Sequence, residues 1–146
     1  MKFPASWLRE HVAFDATPEA LAERLTAIGL EVEEMTRLGE GLDGVVVARI
    51  VHCERHPEAD RLQVCTVDAG GGEPLQIVCG APNARPGLVA PLATVGAVLP
   101  GGIVIKPAKL RGVASNGMLC SAKELGLDAD ASGLMELAAD ATPGQA

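Results

Sequence analysis

Lys106, Lys109 and Arg111 form the one compact basic run in this 146-residue sequence, and cations so spaced can bind phosphate. Affinity for a polyanion grows with each phosphate neutralised, so three cations support weak or shared contact rather than strong independent binding. Other candidate groupings offer less. His52, Cys53 and His56 are ligand-type residues, but Pro57 follows at once and no second pair completes a four-ligand set. Ser115 and Ser121 lack the flanking glycines of a nucleophile elbow, and His11, His52 and His56 have no triad context. Gly70-Gly71-Gly72 is not followed by Lys-Ser/Thr or a helix start, so it reads as a hairpin turn rather than a phosphate cradle. No catalytic residue and no metal ligand set is expected.

Cys53, Cys65, Cys79 and Cys120 are separated by eleven, thirteen and forty residues without a C-x-x-C pair. That spacing disfavours a zinc ribbon, and a disulfide framework is not expected. No apolar run approaches the length of a membrane span, and Met1-Lys2-Phe3-Pro4 does not open a secretory signal, so a cytosolic protein is expected. The net charge is −7, which argues against a strong nucleic-acid binder. Its distribution is uneven. Residues 1–42 hold four basic and eight acidic side chains, residues 43–112 seven and six, and residues 113–146 one and five. The aromatic residues Phe3, Trp7 and Phe14 all precede position 15, and there is no tyrosine. The rest of the chain therefore has no platform on which single-stranded bases could stack. RNA recognition would have to use backbone amides, hydroxyls and cations against phosphate and ribose.

The elements that must position these groups fall into two textures. Ser6 can cap a short helix over 7–12. Thr17-Pro18-Glu19 is a stronger helix start, with a capping hydroxyl, proline at the first helical position and an early acid. Leu21, Leu25 and Ile28 follow at helical spacing, Gly29 stops the helix, and Leu30-Glu31-Val32-Glu33 alternates like an exposed strand. Gly39–Gly44 is a turn-rich boundary. Beyond it come short β-type runs at 45–51, 62–68, 75–78, 88–92, 103–105 and 118–120. The second and third form a hairpin around the glycine-rich loop, and Ser121–Gly126 reads as a capped single turn of helix. Short strands at this spacing favour a small barrel. Residues 1–41 are thus a helix–helix–strand unit, 42–140 the barrel and 141–146 a linker. The fold class is α+β, mainly β.

His56-Pro57-Glu58-Ala59-Asp60-Arg61-Leu62 with Val67-Asp68-Ala69-Gly70 resembles the H-P-x-A-D-[KR]-L…V-D-x-G signature of the tRNA-binding OB domain. Ile77-Val78-Cys79-Gly80-Ala81-Pro82-Asn83 is similar to that family's I-V-C-G-A-x-N. Lys109-Leu110-Arg111-Gly112-Val113-Ala114-Ser115-Asn116-Gly117-Met118-Leu119-Cys120-Ser121 is similar to its K-L-R-G-x-x-S-x-G-M-[LI]-C-[SA]. Ser6-Trp7-Leu8-Arg9-Glu10 and Ala22–Glu33 resemble the start of bacterial phenylalanyl-tRNA synthetase β subunits, as do Gly96–Gly102 and Lys123–Leu127. The departures are Glu58, where the family has asparagine, and Asn116, where it has glutamate or glutamine.

The resemblance implies a five-stranded OB-fold barrel following the amino-terminal unit and acting as an accessory tRNA-binding module. The whole α2β2 enzyme would charge tRNA-Phe with phenylalanine, with ATP and Mg2+ bound elsewhere and no cofactor in this part. The implied partners are tRNA, weakly, the α subunit and the remainder of β. The RNA-contacting candidates are Lys106, Lys109 and Arg111 toward phosphate, and the Ser115, Asn116, Gly117 and Met118 loop for a hydroxyl and close backbone approach. Asn83 is a further polar contact. The alternative is a structural OB module with little RNA contact, in which the motifs are fixed turns of the barrel.

Overall fold

The computed structural model describes residues 1–146, which divide into two compact units, Met1–Arg37 and Leu38–Ala146. In the first, helix α1 (Ala5–His11) starts after Pro4 with no side-chain cap, so Ser6 lies inside the helix and does not cap it. Helix α2 (Pro18–Ala27) begins as its sequence dictates, with the Thr17 hydroxyl accepting from Ala20 N–H at 3.2 Å. It ends in the two bonds of a Schellman turn, Leu30 N–H to Leu25 O and Gly29 N–H to Thr26 O, with Gly29 at φ 95°. Residues 30–33 do not form the expected strand. A strand needs a neighbour to take its N–H and C=O groups, and residues 1–37 provide none. Neither helix has a buried residue. Trp7 meets Phe3 at a tilt, ring centroids 6.3 Å apart, and His11 edge-on at 4.9 Å, and Arg9 lies 5.0 Å from the Phe14 ring.

The second unit is the expected barrel. Its five antiparallel strands are β1 (Val45–Arg55), β2 (Gln63–Asp68), β3 (Leu75–Cys79), β4 (Val89–Ala93) and, numbered in chain order after a separate hairpin, β7 (Met118–Leu119), in the spatial order β3-β2-β1-β4-β7. Strand β1 pairs with β4 through Val45–Arg49 and with β2 through Arg49–Arg55. A bulge between Ile50 and His52 bends it from one partner to the other. The outer edge of its first half is covered by the end of the chain: Val47 N–H donates to Gln145 O at 2.7 Å, and Gly144 N–H to Val47 O at 2.8 Å. An uncovered edge there would be free to pair with another chain.

A separate hairpin, β5 (Ala108–Leu110) and β6 (Val113–Ser115), carries Lys109 and Arg111, with Lys106 just before it, in a stretch without a strand pattern in the sequence. The 103–105 run instead folds as a tight return, with one bridge between Val98 and Val104 around Gly101-Gly102. Ser121 and Glu124 close the expected single capped turn, with Glu124 Oε2 accepting from Ser121 N–H at 2.6 Å.

Ile50, Cys65, Val67, Ile77 and Leu92 fill the barrel, and Leu99, Ile105, Cys120 and Leu125 form a second cluster under the 94–105 loop. Each large aliphatic side chain buried in this way stabilises the fold by roughly 1.5–3 kcal/mol.

Candidate nucleic-acid interface

A two-residue hairpin loop of type I′, whose twist follows that of its strands, needs positive φ at both positions, which usually selects Asn-Gly. Here Arg111 and Gly112 occupy those positions, with φ 51° and 82°, between the paired residues Leu110 and Val113. Arg111 is thus the chain's one non-glycine residue with positive φ. It stands at the hairpin tip with Lys109 on the adjoining strand. Lys106, Lys109 and Arg111 are exposed, and none forms an ion pair. Asn116, exposed at the base of the hairpin, is held by its backbone N–H to Gln76 O at 2.9 Å. These four residues are presented by one hairpin and the segments flanking it.

The other expected contacts are engaged inside the barrel. Ser115 is buried; its hydroxyl accepts from Val78 N–H at 3.0 Å and donates to Gly117 O at 3.2 Å, tying β6 to β3. Gly117 is a close-approach glycine, but its neighbour is the barrel itself. At φ 145°, a Cβ there would meet Ala93 O at 2.9 Å and the Ile77 and Leu92 methyls at 3.2 Å. Met118 is half-buried against the second core cluster. Asn83 stands apart from the hairpin in a cluster of its own. Its amide nitrogen donates to Leu134 O at 2.9 Å, its oxygen accepts from Leu134 N–H at 2.8 Å, and Arg85 and Glu136 pair beside it at 3.1 Å. Hydrogen bonds from Arg85 and Asn83 hold the Glu136 carboxyl below the usual carboxylate range.

The motif positions similarly explain themselves as turns. Asp68 Oδ1 accepts from Gly70 N–H at 2.8 Å, and Gly70 lies so close to Pro143 that a Cβ would fall 2.3 Å from its carbonyl oxygen. His56 N–H bonds to Leu62 O at 3.0 Å, Leu62 N–H to Ala59 O at 3.1 Å, and Arg55 pairs with Asp60 at 3.1 Å, so the 55–62 loop closes on itself. The three ligand-type residues there point apart: His52 meets Glu54 on the surface, Cys53 lies 3.5 Å from Cys65 Sγ, and His56 is turned inward.

Sequence reasoning missed two side chains that hold the hairpin in place. Gln76 Nε2 donates to Ala114 O at 2.8 Å, and His56 Nε2 contacts Leu110 O at 2.9 Å. The H-P-E-A-D-R-L string pointed to His56, but a partner 54 residues away leaves no local signature. For Gln76, an exposed polar residue near the start of β3, the sequence carried no signal.

A five-stranded antiparallel barrel of this topology, with polar loops and a basic hairpin on its rim, is an OB-type binding module. The family model described as "Putative tRNA binding domain" matches residues 45–146, which include every strand and the whole hairpin. The chain belongs to this tRNA-binding domain family. Two phenylalanine–tRNA ligase β subunits resemble it over nearly its whole length. That of Xanthomonas euvesicatoria pv. vesicatoria is 73% identical over 100% of the chain, and that of Xylella fastidiosa 62% identical over 99%. The chain spans 18% of the length of each of these relatives. The crystal structure of a MetRS-related protein from Pyrococcus horikoshii superposes with a TM-score of 0.51 at 21% identity, covering 69% of this chain and 85% of that one, which supports the barrel fold. No helix of the chain is long and apolar enough to cross a membrane.

Proposed function

We propose that this chain is a segment of a phenylalanine–tRNA ligase β subunit whose barrel makes auxiliary contact with tRNA. The observation that carries the reading is the hairpin: Lys109 and Arg111, with Lys106 just before it, are exposed cations without acidic partners inside the span that matches the tRNA-binding family. Their chemistry is contact with phosphate, which fixes position without reading sequence. With no aromatic ring after Phe14, the barrel would follow the backbone of a folded RNA rather than splay its bases. Asn116 adds an amide able to reach a phosphate or ribose oxygen.

In this reading the intact α2β2 enzyme in the cytoplasm joins phenylalanine to tRNA-Phe using ATP and Mg2+ bound outside this segment. The α subunit and the rest of β are its protein partners. Following backbone amide signals while tRNA is added at low salt tests the RNA half. The signals of residues 106–118 should shift first, and unchanged signals at high RNA concentration would exclude direct contact.

The internal bonding of Ser115, Gly117 and Asn83 favours a second reading, a structural module that holds neighbouring domains in place. Removing residues 42–140 from the full-length β subunit separates the two. Normal assembly with weakened tRNA affinity supports the RNA role, and failed assembly supports the structural one.

A further inference from the structure

His56 is the one buried side chain in the exposed 54–58 stretch, and only 3% of its surface is accessible. Both ring nitrogens are engaged. The backbone N–H of Glu58, which can only donate, points at Nδ1 at 3.0 Å. Nδ1 therefore carries the lone pair, and the ring proton sits on Nε2. Nε2 in turn lies 2.9 Å from Leu110 O and donates to it. Leu110 is the first residue of the Arg111-Gly112 turn, so the bond is made to the peptide unit that leads directly into Arg111. The other ties of the hairpin, through Ser115, Gln76 and Asn116 to β3, all lie on or after β6. Strand β5 is exposed along its whole length, and His56 supplies the one side-chain hydrogen bond to its backbone.

We propose that His56 is a positioning residue for the RNA-contacting hairpin: its ring spans the β1–β2 loop and the turn at Leu110, and so fixes the direction in which Arg111 and Lys109 present their charge. The inference rests on the reading of that hairpin as the tRNA contact. It gives the His-Pro-Glu-Ala-Asp string a task as well as a shape. The loop closes on itself through Leu62, Ala59 and the Arg55–Asp60 pair, and a closed loop holds the imidazole still. The tautomer is set by a backbone donor two residues along. Arg111, in a backbone conformation that arginine disfavours, is held there by a bond on its N-terminal side as well as by the turn.

Two amide variants of the 146-residue chain separate the ring's two bonds. His56→Asn keeps an acceptor near the position of Nδ1, so the loop can stay closed, but it cannot reach Leu110. His56→Gln places an N–H near the position of Nε2 and restores that reach. Amide exchange of Leu110 and Val113, the pair that closes the turn, reports the hairpin, and binding of dye-labelled tRNA at several salt concentrations reports the contact. We expect His56→Asn to speed exchange by about tenfold, the factor that corresponds to one net hydrogen bond. It should also lower the salt slope of tRNA binding by about one, as losing a phosphate contact does. His56→Gln should recover both while its melting temperature stays with that of His56→Asn, since rescue of binding is not a matter of overall stability. Unchanged exchange in His56→Asn overturns the proposal whatever the RNA does. Faster exchange with an unchanged salt slope overturns it too, because the hairpin would then be loosened without consequence. An unmodified chain that fails to bind tRNA overturns the RNA reading and with it the positioning role, and the exchange data distinguish that result from failure of the His56 bond.

Discussion

Three unpaired cations set a number for the salt dependence of tRNA binding. If Lys106, Lys109 and Arg111 each neutralise one phosphate, the slope of log K against log salt is about −0.9 per contact on a duplex and about −0.7 on a single strand. Three contacts give about −2.7 or −2.1. Between 50 and 200 mM salt the affinity should fall by about 20- to 40-fold, much less than for proteins that make six or more phosphate contacts. The perturbation is replacement by glutamine, singly and together. All three side chains are exposed and outside any ion pair, so stability should stay within about 0.5 kcal/mol. Anisotropy of labelled tRNA, titrated at four salt concentrations, should show each single variant reducing the slope by about 0.7–0.9 and the triple variant bringing it close to zero. A triple variant that kept the wild-type slope would refute the assignment, and the cations would have to be sought elsewhere, Arg61 and Lys123 first. A wild-type slope steeper than about −4 would refute the count.

Arg111→Asn should move stability and binding in opposite directions. Asn-Gly is the preferred pair for this turn, so the melting temperature should rise, by about 0.5–1 kcal/mol in free energy, while tRNA affinity falls; a fall in both would mean that Arg111 is not strained. Ser115→Ala strands the buried Val78 N–H and should cost about 1–3 kcal/mol in denaturant titrations. Asn83→Ala removes both bonds to Leu134, so limited proteolysis should cut sooner after residue 128, with tRNA affinity unchanged if Asn83 is purely structural. Burial pushes the Cys120 thiol up to about 12 from a usual value near 9, and raises Cys65 and Cys79 in the same direction. The unfolded chain then ionises first, so stability present below pH 9 should decline as pH rises from about 9 toward 12, and Cys120→Ala should lessen the urea-midpoint change between pH 8 and 10.5.

Barrel strands were legible where packing leaves a period-two trace. Gln63–Asp68 buries Cys65 and Val67 at alternate positions, Leu75–Cys79 follows across a glycine-rich loop, and they pair from Gln63 with Cys79 to Val67 with Leu75. The β5–β6 hairpin left no such trace. Ala108–Leu110 is exposed throughout, and an Arg-Gly turn is not a recognised hairpin signal. Residues 30–33 had the alternation but no neighbour, and pattern alone cannot supply a partner. At the site, charge was readable because a cation without an acid nearby in sequence is usually at the surface. Hydroxyl and amide groups were not. Ser115 and Asn83 look the same in sequence whether they face RNA or a backbone amide, and here both face the backbone. The motifs were recognisable because they fix turns and close approaches: Asp68 bonds Gly70 N–H, Ser115 bonds Val78 N–H, and Gly117 leaves no room for a Cβ.

The placement of the aromatic residues has an optical consequence. Trp7, with Phe3 and Phe14, lies in the amino-terminal unit, and the chain has no tyrosine. The barrel is therefore dark at 280 nm. Intrinsic fluorescence and near-ultraviolet dichroism take their aromatic signal from residues 1–37, and a transition followed by either leaves the melting of the barrel unseen. The same darkness makes the barrel a clean background. A single tryptophan at Leu110, already 41% exposed at the head of the basic turn, would with Trp7→Phe give emission from the hairpin alone, and its quenching by RNA would be read without a competing signal.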